Sequence, residues 1–395
     1  MLKPISSQKV YDTVVVGLGG AGSSSLYYLT QTGRTVLGIE QFDICHKNGS
    51  SHGDTRIIRQ AYFEGEYYIP FVKEAYSLWD EIEKKSGEKL FFKTKGINIG
   101  DSDSQLVEKC KIASDMHGIN YEILNNKDIN LRYPFFNIPE TYSGLLEENA
   151  GALFPEKCIE TYLNEAIKNK ADVLFNCKVE KITYDKEDDM YNIIYNNVNT
   201  NDPFNTVKAK SLILSCGSWI KNILTKNFNI NLPLTIDLNY VYYFKLKDEK
   251  RFDTFPVYII STADCEFYGF PDFYNEYGYK ISIYHQNMSY SDINNVKREF
   301  SEEKYEYIKS ISKNFLSEMH SDNMELIKHL TCLYTSTPDK DFLIDYIPGT
   351  NEKVVIVSAC SGHGFKFMSR IGDHAVKLLD KKEKPLPQFK IDRLL

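Results

Sequence analysis

Three glycines, Gly17, Gly19 and Gly22, form a G-x-G-x-x-G run whose spacing suits a dinucleotide pyrophosphate. The first allows a tight turn, the second lets backbone approach phosphate, and the third lets a helix pack close on a strand. The N-terminus of that helix offers unpaired N–H groups and the positive end of its dipole. Further on, Glu40 can accept hydrogen bonds from ribose hydroxyls, and an acid there disfavours a 2′-phosphate. FAD and NAD both fit these residues. Arg56 and Arg59 stand three positions apart, close enough in a helical or turn segment to face one cavity, where a guanidinium fork matches a carboxylate. The turn Gly362-His363-Gly364-Phe365 can deliver backbone N–H groups to developing negative charge. His52 and His363 have no partner His or acid at metal-ligand spacing, so no metal is expected.

These residues need elements to position them. Tyr11 to Gly17 reads as a buried strand, Gly20 to Gln31 as a helix and Thr35 to Glu40 as a second strand, together one βαβ unit. Parallel strands joined in this way require an α/β layer architecture. Helices are expected around Phe71 to Lys85 and from Ser104 to Met116, and several strands between Asp172 and Cys216, with the Asn-rich run Asn196 to Asn201 as a hairpin connection. From Leu232 to His285, stretches such as YVYYFKL and YKISIYH predict a sheet of mixed exposure. The first pattern then returns, with a strand from Val354 to Ala359 and a helix from Lys366 to Leu379. The expected fold is α/β: a Rossmann-like nucleotide-binding domain from residues 1–90, 150–230 and 330–395, with an antiparallel or mixed β-sheet substrate domain from 91–149 and 231–329 inserted.

A chain of 395 residues exceeds the usual single domain, consistent with two intertwined domains and room for a large cofactor. A net charge of −7 argues against a general nucleic-acid partner, and no apolar run is long enough to span a membrane. The eight cysteines show no CxxC pair or regular spacing, and the polar start from Met1 to Val10 carries no secretory signal, so reduced thiols in the cytoplasm are expected.

Four ordered motifs give the chain a resemblance: Ser51-His52-Gly53-Asp54-Thr55-Arg56-Ile57-Ile58-Arg59, Tyr268-Gly269-Phe270-Pro271, Cys332-Leu333-Tyr334-Thr335 and Ser361-Gly362-His363-Gly364-Phe365-Lys366-Phe367. Over almost its whole length the chain resembles the monomeric sarcosine oxidase group, which includes N-methyltryptophan oxidase, pipecolate oxidase and the fructosyl amino acid oxidases. The resemblance implies FAD rather than NAD, bound to a monomer, and oxidation of an amine to an imine while O2 becomes H2O2. It implies that Arg59 and Lys366 hold a substrate carboxylate, that Arg56 lies beside the flavin ring, and that Tyr268 and Tyr334 line the substrate pocket. His52, Thr55 and the Gly362–Phe365 turn would contact the cofactor, and Cys332 would carry a covalent thioether to it. Lys280 would serve oxygen activation as a fixed ammonium, with His285 nearby.

In one respect the chain departs from the sarcosine oxidase pattern. One more residue separates Tyr268 from Lys280, and five positions rather than four lead from Lys280 to His285, a spacing closer to that of fructosyl amino acid oxidases. Because side chains alternate along a strand, an unrelieved shift would turn Lys280 or His285 away from the flavin unless a bulge absorbs it. The expected activity is oxidation of an N-methyl, cyclic or related amino acid at its C–N bond. The alternatives are a fructosyl amino acid oxidase-like activity or a flavin dehydrogenase using an acceptor other than O2. A binding module with decayed catalysis is disfavoured by the retained set Arg59, Lys280 and Lys366. A neutral amine whose carboxylate is held needs no dedicated protein base, and none is assigned.

Overall fold

The computed structural model describes residues 9–200, 204–248, 252, 255–273, 276–358 and 361–395. The segment before Lys9, Asn201 and Ala359 among the residues singled out above, and Cys360, one of the eight cysteines, lie outside them.

The strand Val10–Val16 (β1) is rich in valine, with Val14 and Val15 fully buried, as expected of a parallel strand covered on both faces. It pairs in parallel with Val36–Ile39 (β2) on one side and with Asn205–Leu214 on the other, and the helix Gly20–Thr30 (α1) makes the crossover between β1 and β2. Asp172–Leu174 extends the sheet beyond β2, while Val354–Ser358 joins the far half of Asn205–Leu214, both in parallel. Cys177–Asp185 and Met190–Asn197 continue it as an antiparallel hairpin. Distant parts of the chain therefore share one sheet. The helix Met368–Leu379 packs against α1, where Ser24 Oγ donates to the Met368 carbonyl at 2.7 Å.

The second sheet is mixed. Its strands run in the order Ser289–Tyr290, Thr235–Leu246, Tyr279–Tyr284, Glu266–Phe270, Val257–Ser261, Gly96–Asp101, Tyr142–Glu147 and Tyr121–Asn125, with Met324–Ser336 on Thr235–Leu246. Only Val257–Ser261 and Gly96–Asp101 pair in parallel. Met324–Ser336 runs across residue 330, where the sequence suggested a boundary, so Cys332 and Tyr334 belong to this second sheet. Alternation sorts its residues: Tyr240, Tyr242, Phe244, Phe267 and Ile281 pack in an aromatic core, while Val241, Tyr243, Cys332 and Tyr334 cluster on the opposite face. A small third sheet, formed by Arg56–Ile58, Gly151–Leu153 and Phe91–Lys93, carries Arg56 towards that face.

Candidate active site

A cavity opens at the carboxyl ends of β1 and β2, the place where an open α/β sheet takes a ligand. Gly17, Gly19 and Glu40 line it. No side chain caps α1 at Gly19, and the only side-chain acceptor on its first turn is Ser51 Oγ, 3.2 Å from Gly20 N, among the described residues. A Cβ on Gly22 would lie 1.8 Å from the Gly17 carbonyl oxygen, so only glycine allows the helix to leave the strand this closely. Glu40 is oriented by the same turn: its Oε2 accepts from Leu18 N at 2.7 Å and its Oε1 from Phe42 N at 3.1 Å.

A second cavity adjoins the first, and Ser50, Ser51 and Met368 line both. Arg56, Arg59, Tyr268, Cys332, Tyr334, Lys366 and the turn Gly362–Phe365 all line it, although they come from four distant stretches of chain. Arg56 and Arg59 reach it from an extended strand and the residue just past its end, not from a helix.

Arg59 is 4% exposed and lies between the rings of Tyr62 and Phe63, 4.6 and 4.3 Å from their centroids. Its Nη1 donates to the Ala61 carbonyl at 2.6 Å, and its Nη2 lies 2.7 Å from both carboxylate oxygens of Glu64. Glu147 fixes the following backbone by accepting from Gln60 N and Ala61 N at 2.8 to 3.0 Å. Lys366 Nζ donates to the His363 carbonyl at 2.8 Å and lies over the Tyr62 ring. Arg59 and Lys366 both act on the Glu64 carboxylate, so the two cations share one locality.

His363 is held as a neutral ring, its pKa pushed down to about 4 by burial, with Lys366 adding to the effect. Its Nε2 faces the Lys340 carbonyl at 3.1 Å and must donate, which leaves Nδ1 to accept from the Tyr62 hydroxyl.

Cys332 lies on the same strand face as Tyr334, its Sγ 3.6 Å from Arg56 Nη2 and 3.9 Å from His52 Nε2. Burial alone would raise the thiol; His52, Arg56 and Lys280 outweigh it and bring it down to about 6, so the thiolate prevails at neutral pH. His52 stands behind Cys332, and its buried Nδ1 has no hydrogen-bond partner among the described residues. Arg56 is fixed by the carbonyls of Ser50, His52 and Thr55 at 2.5 to 2.7 Å.

Lys280 sits under this group, 2% exposed, donating to the carbonyls of Gly53 and Thr55 at 2.8 Å each. Burial and then the Arg56 charge push its ammonium down to about 7. Thr55 thus meets Lys280 and does not line either cavity. The ladder between Glu266–Phe270 and Tyr279–Tyr284 is unbroken, pairing Phe270 with Lys280 and Tyr268 with Ser282, so the extra residue is taken up in the turn and no bulge is needed. His285 is the correction. The strand ends at Tyr284, His285 has φ +55°, and its Nδ1 turns to Asp237 Oδ2 at 3.7 Å, leaving Tyr284 to line the cavity in its place.

Three polar cavity groups carry no clear sequence signal or only a weak one: Glu64 follows Arg59 in a loop without periodicity, Tyr284 ends a strand just before His285, and Glu266 stands outside the motifs, while Tyr62 packs behind Arg59 without lining the cavity. Glu266 had a usable signal, being two residues before Tyr268 on one strand and so on the same face.

The model of the FAD dependent oxidoreductase family DAO matches residues 12–378. A monomeric sarcosine oxidase of Arthrobacter sp. (strain TE1826) is 35% identical over 98% of this chain and 98% of its own. An N-methyl-L-tryptophan oxidase of Yersinia pestis (strain Pestoides F) is 31% identical over 95% and 96%. Among solved structures, an L-proline dehydrogenase from P. horikoshii superposes with a TM-score of 0.82 over 97% of each chain at 18% identity, a likeness of fold.

Proposed function

The chain belongs to the DAO family of FAD-dependent oxidoreductases, and from that premise we propose that it oxidises the C–N bond of an N-methyl, cyclic or related amino acid to an imine, with O2 reduced to H2O2. The observation that carries this reading is the convergence of Arg59, Lys366, Tyr268, Tyr334 and Cys332 on one cavity next to the dinucleotide cavity.

FAD fits the residues present. The uncapped start of α1 and the close Gly17–Gly22 crossing leave a cradle for pyrophosphate, with Glu40 placed for ribose. At the other end Cys332 lines the second cavity with its thiolate held by Arg56 and His52, and the buried Nδ1 of His52 beside it has no hydrogen-bond partner among the described residues. Gly17, Gly19, Gly22 and Glu40 would hold the ADP half, and His52, Cys332 and the Gly362–Phe365 turn the isoalloxazine, with Cys332 as the point of covalent attachment. When bound, the flavin supplies the two-electron acceptor for the amine and the donor for O2.

The chain's own groups do the rest. Arg59 and Lys366 grip the carboxylate, a fork and a point charge, and so orient the amine. The linked hydroxyls of Tyr334 and Tyr268 limit where the nitrogen can lie. Arg56 supplies a permanent positive charge and Lys280 a titrating one, both preorganised by backbone carbonyls, to stabilise negative charge that develops during electron transfer. A monomer in the cytoplasm is part of the reading; the seven described cysteines are all free, as expected in a reducing compartment.

Anaerobic mixing with sarcosine, pipecolate, N-methyltryptophan and fructosyl-glycine tests the reaction: at least one should bleach the flavin, and none doing so would refute it. Stoichiometric peroxide under air separates an oxidase from a dehydrogenase. Acid precipitation should leave a yellow pellet whose adduct maps to Cys332.

A further inference from the structure

Glu266 lines the second cavity beside the cations assigned to the substrate carboxylate, and of the two acids lining that cavity it is the one without a counterion among the described residues. Glu64 is neutralised by Arg59, and its two oxygens are both engaged. Among the described residues, the Glu266 carboxylate makes no hydrogen bond or ion pair; Arg59, His285 and Lys109 act on it only at a distance. Its direction is fixed by the ladder. Glu266 pairs with Tyr284 and lies two residues from Tyr268, and all three side chains line the same cavity.

The surroundings of Glu266 are apolar on one side. Phe63 and Ile259 line the cavity and both pack against the cluster of Leu106, Cys110 and Leu145. A ligand held by its carboxylate at Arg59 and Lys366 can therefore lay an aliphatic stem along Phe63 and Ile259 and bring its end to Glu266. We infer that Glu266 is a specificity-determining residue, and that the amino acid oxidised here carries a basic side chain ending in an ammonium or guanidinium group. This rests on the amino acid oxidase reading given above.

Charge balance supports it. Burial first, and then the charge of Glu64, raise the pKa of Glu266, and the more distant Arg59, His285 and Lys109 offset only part of this, so ionisation is disfavoured while no cation among the described residues pairs with it directly. A cationic side chain would remove that cost and add a charge-assisted hydrogen bond, whereas an acidic side chain would meet like charge. A neutral aliphatic side chain would leave a polar group facing apolar surface.

Three N-methyl amino acids of matched length, with basic, neutral and acidic side chains, form the test, with anaerobic flavin bleaching and kcat/KM as readouts. The wild-type protein should favour the basic substrate over the neutral one by about 10- to 100-fold, the range of a hydrogen bond to a charged group. Glu266→Gln should cut that ratio at least tenfold, and Glu266→Lys should invert it in favour of the acidic substrate. Binding of thioether analogues, in which sulfur replaces the reacting nitrogen, should show the same order in Kd. Bleaching by all three substrates without preference, or a preference that survives Glu266→Gln, overturns the inference alone. Bleaching by none of the three or of the wider amine panel overturns the oxidase reading and this inference with it.

Discussion

Nη2 of Arg59 lies 2.7 Å from each carboxylate oxygen of Glu64, so the guanidinium assigned to the substrate already holds an acid of the same chain. A substrate carboxylate must compete with Glu64 or share the arginine with it. Glu64→Gln should therefore tighten carboxylate inhibitors by roughly tenfold, since the charge-assisted competitor is gone. The same change leaves Arg59 buried without its counterion and should destabilise the ligand-free protein by about 3 kcal/mol. Denaturant melts with and without a carboxylate inhibitor check both, because the ligand should restore most of the lost stability. Unchanged affinity would show that Glu64 does not compete.

Lys280 gives a pH signature. Its folded pKa, pushed by burial to about 7, lies below that of an unfolded lysine, about 10.4. Between those values the unfolded chain binds more protons, so the stability that Lys280 contributes rises with pH across that window and its cost is full below it. Lys280→Met should thus stabilise the flavin-free protein most at pH 6, less at pH 8 and least near pH 10. Loss of the ammonium should also slow oxygen consumption on the order of 100-fold. A stability difference that is flat from pH 6 to 10 would contradict the assignment.

Much of this site could be read from the chain because its anchors sit in compact motifs. Gly17 and Gly22 announce a turn whose geometry only glycine permits at those two positions, and Arg56, Arg59, Cys332 and Lys366 are embedded in compact runs of their own. What escaped depends on contacts between distant segments. Nothing in a single stretch signals that Glu64 would close on Arg59, or that the Tyr62 hydroxyl would meet His363. His285 shows the limit of spacing: counting along the strand could not reveal that it ends one residue earlier, at Tyr284. The same applies to Met324–Ser336, whose hydrophobic pattern identifies a strand and not the sheet it joins.

Cys332 should be the most nucleophilic of the seven described thiols in the flavin-free protein. Its neighbours His52, Arg56 and Lys280 overcome burial and hold its pKa near 6, whereas burial raises those of Cys45, Cys110, Cys158, Cys177, Cys216 and Cys265. Iodoacetamide labelling read by peptide mass should modify Cys332 at pH 6.5, with a half-maximal rate near pH 6 and those six other described thiols unlabelled. Arg56→Gln should move that midpoint upward, since a cation that favours the thiolate is removed. Labelling of Cys332 only above pH 8 would rule out the thiolate.

Gly362 tests the turn that closes the site. It has φ +88°, in the region that favours glycine, and a Cβ there would lie 2.7 Å from the Tyr334 ring and 2.9 Å from the Tyr284 ring. Two separate effects follow from Gly362→Ala. The backbone strain costs about 1 to 2 kcal/mol, and both tyrosines must shift away from the new methyl group. Because those rings line the cavity proposed for substrate while the cradle proposed for the ADP half lies in the other, the variant should still take up FAD but lose substrate affinity. Serial measurements of flavin content and of Kd for a carboxylate inhibitor distinguish the outcomes. Retained flavin with at least tenfold weaker binding is expected, and unchanged Kd would show that the turn does not set the position of Tyr334 and Tyr284.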